Sequence, residues 1–437
     1  MSPTDSRDGL VRDGLRIFIV CAIGCMGVAR AADAPRSSLA ATVGEEWPRW
    51  RGPRGDGTWN APKLPERWPS EGLREIWRRS VGGGDAGVVV AGGRVYTMDL
   101  QRSQEEMERV LCFDAASGKE LWAHAYGAVY RGLQHGNGPR AAPTVSDGRV
   151  YTLGALGHAL CLDAVTGKAI WSIDMVRDHG ARLPTWGFAA SPLLFENLVI
   201  LHVGAVPDGC YIALDRGTGK EVWRGAPDPC GYCTPILIQH NGRPQLVCWT
   251  PEYIRGLDPR DGRSLWAIPY KVTYAVSIAS PIFQEGIVFV SGYWEGSKAI
   301  RLEQGATLLW EQGQLRGEMS QPLYRDGYVY LLDRSSGLTC FKLRTGEKLW
   351  DDGHRMTPRG RDPQASLVWL NDADRAIILN AEGDLILARL NPTGYDERSR
   401  TKVIGKTWAH PAFAGRYIFA RDGRELACVS LLESAAK

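Results

Sequence analysis

The sequence predicts an all-β fold, an eight-bladed β-propeller, on three observations. The first is a phrase that recurs five times: FDAASGKELW, LDAVTGKAIW, LDRGTGKEVW, LDPRDGRSLW and FKLRTGEKLW. Within it Asp114, Asp163, Asp215 and Asp258 stand eight residues before the closing Trp, and Gly118, Gly167, Gly219, Gly262 and Gly346 stand four before it. The second is the period: Trp77, Trp122, Trp171, Trp223, Trp266, Trp310 and Trp350 follow one another at 40 to 52 residues, the length of a four-stranded blade. The third is strand text such as GRVYTLG, HALCLDA and AIWSIDM, rich in β-branched and aromatic residues between Gly and Asp turns. Helical periodicity is absent.

Each part of the phrase has a physical role. The Asp carboxylate accepts from turn amides between the third and outer strands, and the Gly takes a positive φ that a Cβ resists. The Trp opens the outer strand, where its indole fills the groove between two blades, with about 2–3 kcal/mol available from apolar burial. The unit ending at Trp310 keeps its strands but has Leu302 and Ala306 where Asp and Gly should stand, so it reads as a degenerate fifth blade. A sixth is regular, and a seventh runs to about Ile404. An eighth stops after three strands at the C-terminus. LREIWRRSV, with Trp77 at the outer-strand position and no inner strands before it, supplies the missing fourth strand. That closure removes open sheet edges. Seven blades is the alternative, if the divergent seventh unit is a long insertion.

Ahead of residues 73–432, which form the propeller, stand two other segments. Arg7, Arg12 and Arg16 precede the apolar run IFIVCAIGCMGVA and then Ala29-Arg30-Ala31, the order of a secretory signal over residues 1–31. Thirteen apolar residues are too few to span a bilayer comfortably, so export is expected, and Cys25 lies in a poor lipoprotein box. Residues 32–72, rich in Pro, Gly and Trp, should lie extended across the disc, and 433–437 form a tail. The formal charge of +3, with both signs spread along the chain, offers no basic stripe for nucleic acid or anionic lipid.

Of ten cysteines, eight follow residue 31. Cys112, Cys161, Cys340 and Cys428 share one repeat position on the third strand, where a small buried hydrophobe suffices. Cys230 and Cys233, in CGYC, are close enough to bridge in an oxidising compartment; a disulfide or two inert thiols is expected rather than a redox dithiol. No His follows them, and two thiols without a second pair make no zinc site. The eight histidines show neither i, i+4 nor HExxH spacing, so no metal site is assigned. GVVVAGGRV and VGGGDAG border strands rather than a strand-to-helix turn, which excludes a phosphate-cradling loop.

The Asp-x-x-Thr-Gly-Lys-x-x-Trp phrase resembles the tryptophan-docking motif of quinoprotein alcohol dehydrogenases and of PQQ-like (pyrroloquinoline-quinone-like) repeat propellers. With WPRWRGPRGDG and PTWGFAASPL, nearly the whole mature chain is similar to exported bacterial PQQ-like repeat proteins. The propeller lipoprotein of the outer-membrane barrel-assembly machinery, a scaffold, is a more distant relative. The resemblance implies the fold. It does not decide activity, because enzymes and scaffolds share the repeat. Dehydrogenases of the group imply an adjacent Cys-Cys disulfide, an aromatic floor under the quinone, a Ca²⁺ held by acidic and amide oxygens, and an Asp base. This sequence has no Cys-Cys dipeptide and no CxxCH.

The loops entering each inner strand ring one mouth of the channel, where ligands of such folds are expected. Candidates there are His135, Asn137 and Arg140 before blade two, Trp186 before three, Tyr232 before four and Tyr274 before five. Glu318 stands before blade six, Arg361 before seven, and Trp408 and His410 before eight. A cup so built suits a planar anion, a sugar or a peptide strand. Each also has a plainer role: the aligned loops favour seam packing for Trp186 and Trp408, carbonyl bonding for Arg140 and simple exposure for His135. The sequence therefore favours an exported scaffold binding a ligand or protein at one face, with no assigned catalytic residue. The alternative is a dehydrogenase of an alcohol or sugar using PQQ with Ca²⁺.

Overall fold

The computed structural model describes residues 44–102, 105–317, 319–360 and 362–432. The signal segment, the C-terminal tail, Glu318 and Arg361 lie outside the described residues. Eight sheets follow one another along the chain. The first comprises Val89–Ala91, Arg94–Arg102, Glu106–Asp114 and Glu120–Gly127, inner strand to outer. The next five repeat that order in antiparallel hairpins. The seventh, Ala365–Leu370 to Gly394–Lys402, carries a fifth strand, Thr58–Trp59, parallel to its inner edge. In the eighth, Glu75–Ser80 pairs antiparallel with Glu425–Ser430, and Trp77 faces Cys428. The outer strand of the last blade thus comes from the start of the propeller, and the ring closes.

The repeated phrase acts across each seam. Asp163 Oδ1 accepts from the Val165 and Thr166 amides and the Thr166 hydroxyl, and Asp215 does the same with Gly217 and Thr218. This turn brings the Gly under the preceding blade's indole. A Cβ on Gly118 would meet Trp77 at 2.5 Å, on Gly167 Trp122 at 2.6 Å, and on Gly262 Trp223 at 2.5 Å. The same indoles donate Nε1–H to a carbonyl of the next blade: Trp77 to Ala115, Trp122 to Ala164, Trp171 to Arg216 and Trp223 to Pro259. Trp310 and Trp350 bond Leu343 and Asn391 likewise.

Trp266 departs from the expected docking. The next blade has Ala306 where the docking Gly should stand, and the Trp266 indole turns back over its own third strand and donates to Gln245 Oε1 at 2.8 Å. Only Gly256 permits this, since a Cβ there would stand 2.1 Å from the indole nitrogen. The residue opposite each blade Trp on the third strand is always small: Cys112, Cys161, Ala213, Gly256, Ala299, Cys340 and Cys428 face Trp122, Trp171, Trp223, Trp266, Trp310, Trp350 and Trp77. The four cysteines at this position are buried free thiols.

Residues 44–59 cross the channel itself. The Trp47 and Pro48 carbonyls accept from Val90 and Val145 in the inner strands of blades one and two. Trp50 donates to Ser280 Oγ before blade five. Arg51, fully inside, donates to the Pro322 carbonyl before blade six at 2.9 Å and to its own Asp56 carbonyl at 2.7 Å. Trp47 and Trp59 pack on Phe413 of blade eight. One strap therefore ties blades on both sides of the ring.

Candidate functional site

Above the strap lies a cavity of about 310 Å³. It is built mainly from one repeat position, four residues before the start of each inner strand and three in blade seven. Blades one to four place Asp85, Arg140, Ala189 and Tyr232 there; blades five to eight place Ile278, Met319, Asp362 and Trp408. One level deeper, Thr234, Gln321, Gln364 and His410 complete the wall. This deeper level stitches the blades together: the Ala142 amide donates to Ser191 Oγ, the Ser191 amide to Thr234 Oγ1, and the Ser280 amide to Gln321 Oε1.

Two aromatic clusters overhang it. His135, at φ 62°, lies 5.6 Å from both Trp186 and Trp408, and Trp186 lies 5.1 Å from Tyr232. Trp186 donates to Gln134 Oε1. On blade five, Tyr293 and Trp294 meet edge to face at 4.3 Å, the Arg334 guanidinium stacks 4.2 Å over Tyr293, and the Tyr293 hydroxyl donates to Asp362. Trp50, whose ring stands 4.2 Å from that of His410, forms the floor.

Burial sets the protonation states. It pushes the His410 imidazole down to about 3, with the Arg51 charge beside it acting the same way, so His410 is neutral at physiological pH. It raises the Asp85 carboxyl, against the pull of Arg140, Arg421 and His135, and lifts the Tyr232 phenol to about 12. The turn that presents Tyr232 is clamped from below. His202 Nδ1–H donates to the Cys233 carbonyl, its Nε2 accepts from the Gly231 amide, and the Tyr232 and Cys233 amides both donate to the Ser277 carbonyl.

Of the predicted mouth residues, His135, Arg140, Trp186, Tyr232, Trp408 and His410 meet at the cavity. Trp186 and Trp408 line it rather than pack seams. Arg140 is tied to its own loop, donating to the Gly138, Gln134 and Gly136 carbonyls. Asn137 does not reach the cavity, because its Oδ1 accepts from the Leu133 amide and caps the same loop. Tyr274, at φ 53°, is turned outward, 74% exposed, against Trp294. Cys230 and Cys233 are two free thiols, not a disulfide: Cys230 Sγ donates to the Gly231 carbonyl and Cys233 Sγ to the Trp249 carbonyl. Asp362, beside Arg361 in the loop expected before blade seven, also reaches the cavity; Asp85, Ile278 and Met319, which the entry loops did not single out, carry a signal in the sequence all the same. They appear once the blades are aligned on the entry to the inner strand, which Pro143, Pro192, Pro235, Pro281, Pro322 and Pro411 mark. Trp50, Tyr293, Trp294 and Arg334 lie off that position.

A family model described as outer membrane protein assembly factor BamB, PQQ_2, matches residues 106–352. The chain belongs to the PQQ_2 family. The assembly factor BamB of Yersinia pestis is 24% identical over 294 residues, covering 62% of this chain and 69% of that protein. BamB of Moranella endobia is 23% identical over 264 residues, 55% of this chain and 61% of its own length. The quinoprotein alcohol dehydrogenase PedH of Pseudomonas putida is 27% identical over 161 residues, and this chain spans 25% of it. Among solved structures, BamB from Moraxella catarrhalis covers 82% of this chain and 99% of its own, with a TM-score of 0.54 at 15% identity. The quinohemoprotein alcohol dehydrogenase from Comamonas testosteroni covers 91% and 82%, with a TM-score of 0.62 at 13% identity. These likenesses show the eight-bladed fold.

The donor set of this PQQ_2 propeller does not fit a quinone held with Ca²⁺. Among the described residues no group of three or more His, Cys, Asp or Glu converges on one point. Among the described residues the carboxylates of the cavity stand on blades one and seven, with Asp362 bonded to Tyr293. A hard cation of that size takes six to eight oxygens.

Proposed function

We propose that this protein is an exported propeller that binds a ligand at one mouth and serves as an interaction module of the cell envelope, without redox chemistry of its own. The observation that carries this reading is the ring of residues four before each inner strand, three in blade seven. A repeat position that reads Asp, Arg, Ala, Tyr, Ile, Met, Asp and Trp in turn, above seams bonded through Ser191, Thr234 and Gln321, gives a varied surface on a supported ring, as a binding mouth requires. The apolar signal-like N-terminus supports export, and relatives named as outer membrane protein assembly factors support a place in the envelope.

The test is a titration of the mature protein with PQQ and Ca²⁺, following tryptophan fluorescence and then dye reduction with a panel of alcohols and aldoses. The reading expects no substrate-dependent reduction of dye. Saturable cofactor binding followed by such reduction would replace it with a dehydrogenase. Fractionation of the producing cells tests the location: the protein is expected with the envelope or medium, and recovery in the cytoplasm would contradict export.

A further inference from the structure

The cavity offers a ligand groups of both signs and leaves them unused. The Asp85 carboxylate takes no hydrogen bond from any described residue, and the Arg334 side chain donates none, lying only over Tyr293 and Trp294. The Tyr232 hydroxyl is buried, at 5% exposure for the residue, and makes no well-aligned hydrogen bond, with only the Thr185 side chain and the Trp186 backbone close by. A buried polar atom left this way costs about 1–3 kcal/mol, which a ligand hydroxyl reaching it would relieve. The three open groups are an acceptor, a donor and a hydroxyl that does both.

Two aromatic clusters flank these groups, one at Trp186, Tyr232 and Trp408 and one at Tyr293 and Trp294. Flat rings beside a mixed set of polar groups match a molecule with apolar faces and hydroxyls at its edge. A ligand of either sign would meet a like charge in this lining, an anion Asp85 or Asp362 and a cation Arg140 or Arg334.

On the reading that the mouth is a ligand site, we infer that its ligand is an uncharged carbohydrate. A pyranose ring stacks its C–H face on the Trp408 and Trp186 cluster, and its hydroxyls reach the Asp85 carboxylate, the Tyr232 hydroxyl and the Arg334 guanidinium. The cavity's size suits a unit of one or two sugars, and its open upper side lets a longer glycan continue outward.

The experiment is a screen of the full mature protein on an array of neutral, acidic and amino-sugar glycans. Calorimetry follows on the best neutral hit, with glucuronate, glucosamine, free amino acids and PQQ as charged probes. A neutral glycan is expected to bind saturably, and Trp408→Ala and Asp85→Asn are each expected to weaken it at least tenfold. Both variants should keep the wild-type far-UV spectrum and unfolding midpoint. If a charged probe binds in a Trp408-dependent way and no neutral glycan does, the carbohydrate inference falls and the ligand-site reading stands. If neither the array nor any probe gives binding that Trp408→Ala alters, both fall.

Discussion

Tryptophan does two different jobs in this molecule. At the seams, Trp77, Trp122, Trp171 and Trp223 lie over a Gly of the next blade and give their indole N–H to its carbonyl. At the mouth, Trp50, Trp186 and Trp408 turn ring faces to a cavity, and the N–H groups of the first two go to side chains beside it. The seam residues recur with the blade, and the mouth residues do not. Tryptophans on the period hold the ring together, Trp266 excepted; of those off it, Trp59, Trp249 and Trp369 are buried in the core, and Trp50, Trp186 and Trp408 face the cavity. The same division separates the cysteines: four sit opposite a seam Trp because the space there is small, while Cys230 and Cys233 bracket the turn that carries Tyr232.

The largest effect should come from a seam. Trp223→Ala removes a 7%-exposed indole and should cost about 3–5 kcal/mol, as large-to-small aromatic changes in a core do, read as a lower urea midpoint. A loss below about 1 kcal/mol would mean the seam does not depend on it.

His202 joins the two regions, since it clamps the Tyr232 turn from inside the blade. Burial holds its imidazole at about 4, below the unfolded value of about 6.5, so the fold favours the neutral ring. Its contribution is complete above pH 6.5 and is lost as pH falls through about 4, reaching roughly 3 kcal/mol at most. Urea midpoints should therefore fall as pH drops from 6.5 towards 4, and His202→Gln should flatten that slope. An unchanged slope in the variant would remove His202 as its source.

Gly262→Ala sharpens the seam side further. Its Cβ would press on Trp223 at 2.5 Å with φ at 71°, and we expect about 1–3 kcal/mol of destabilisation. Gly92→Ala, with φ at 60° and open space around it, carries only the backbone strain and should cost about 1 kcal/mol. Equal losses would show that the indole yields freely. The exception among the seams gives a smaller effect: Trp266, folded onto its own blade and half-exposed, should lose about 1–2 kcal/mol on truncation to Ala, well below Trp223.

The period made the ring, its eight blades and its closure by the strand around Trp77 legible, because docking Trp, turn Asp and Gly are demanded by the same local geometry each time. It over-read Trp266, whose missing partner was visible at Ala306 but whose retreat depends on Gly256 a strand away. At the mouth, His135, Arg140, Trp186, Tyr232, Trp408 and His410 were legible from the entry loops. Asn137 and Tyr274 were not separable from them, since one capping bond and one positive φ turn those side chains away. Asp85 needed the blades aligned on the inner-strand entry. Trp50 needed three dimensions: it reaches the floor on a strap that precedes the repeats, and no spacing within the repeats encodes where that strap runs.

The most direct measurement is urea unfolding of Trp408→Ala beside Trp223→Ala and the wild type. The account predicts a shift under about 1 kcal/mol for Trp408→Ala, as for a half-exposed side chain outside the core, and a loss several times larger for Trp223→Ala. Equal losses in the two variants would make Trp408 another seam tryptophan and contradict the division between period and mouth.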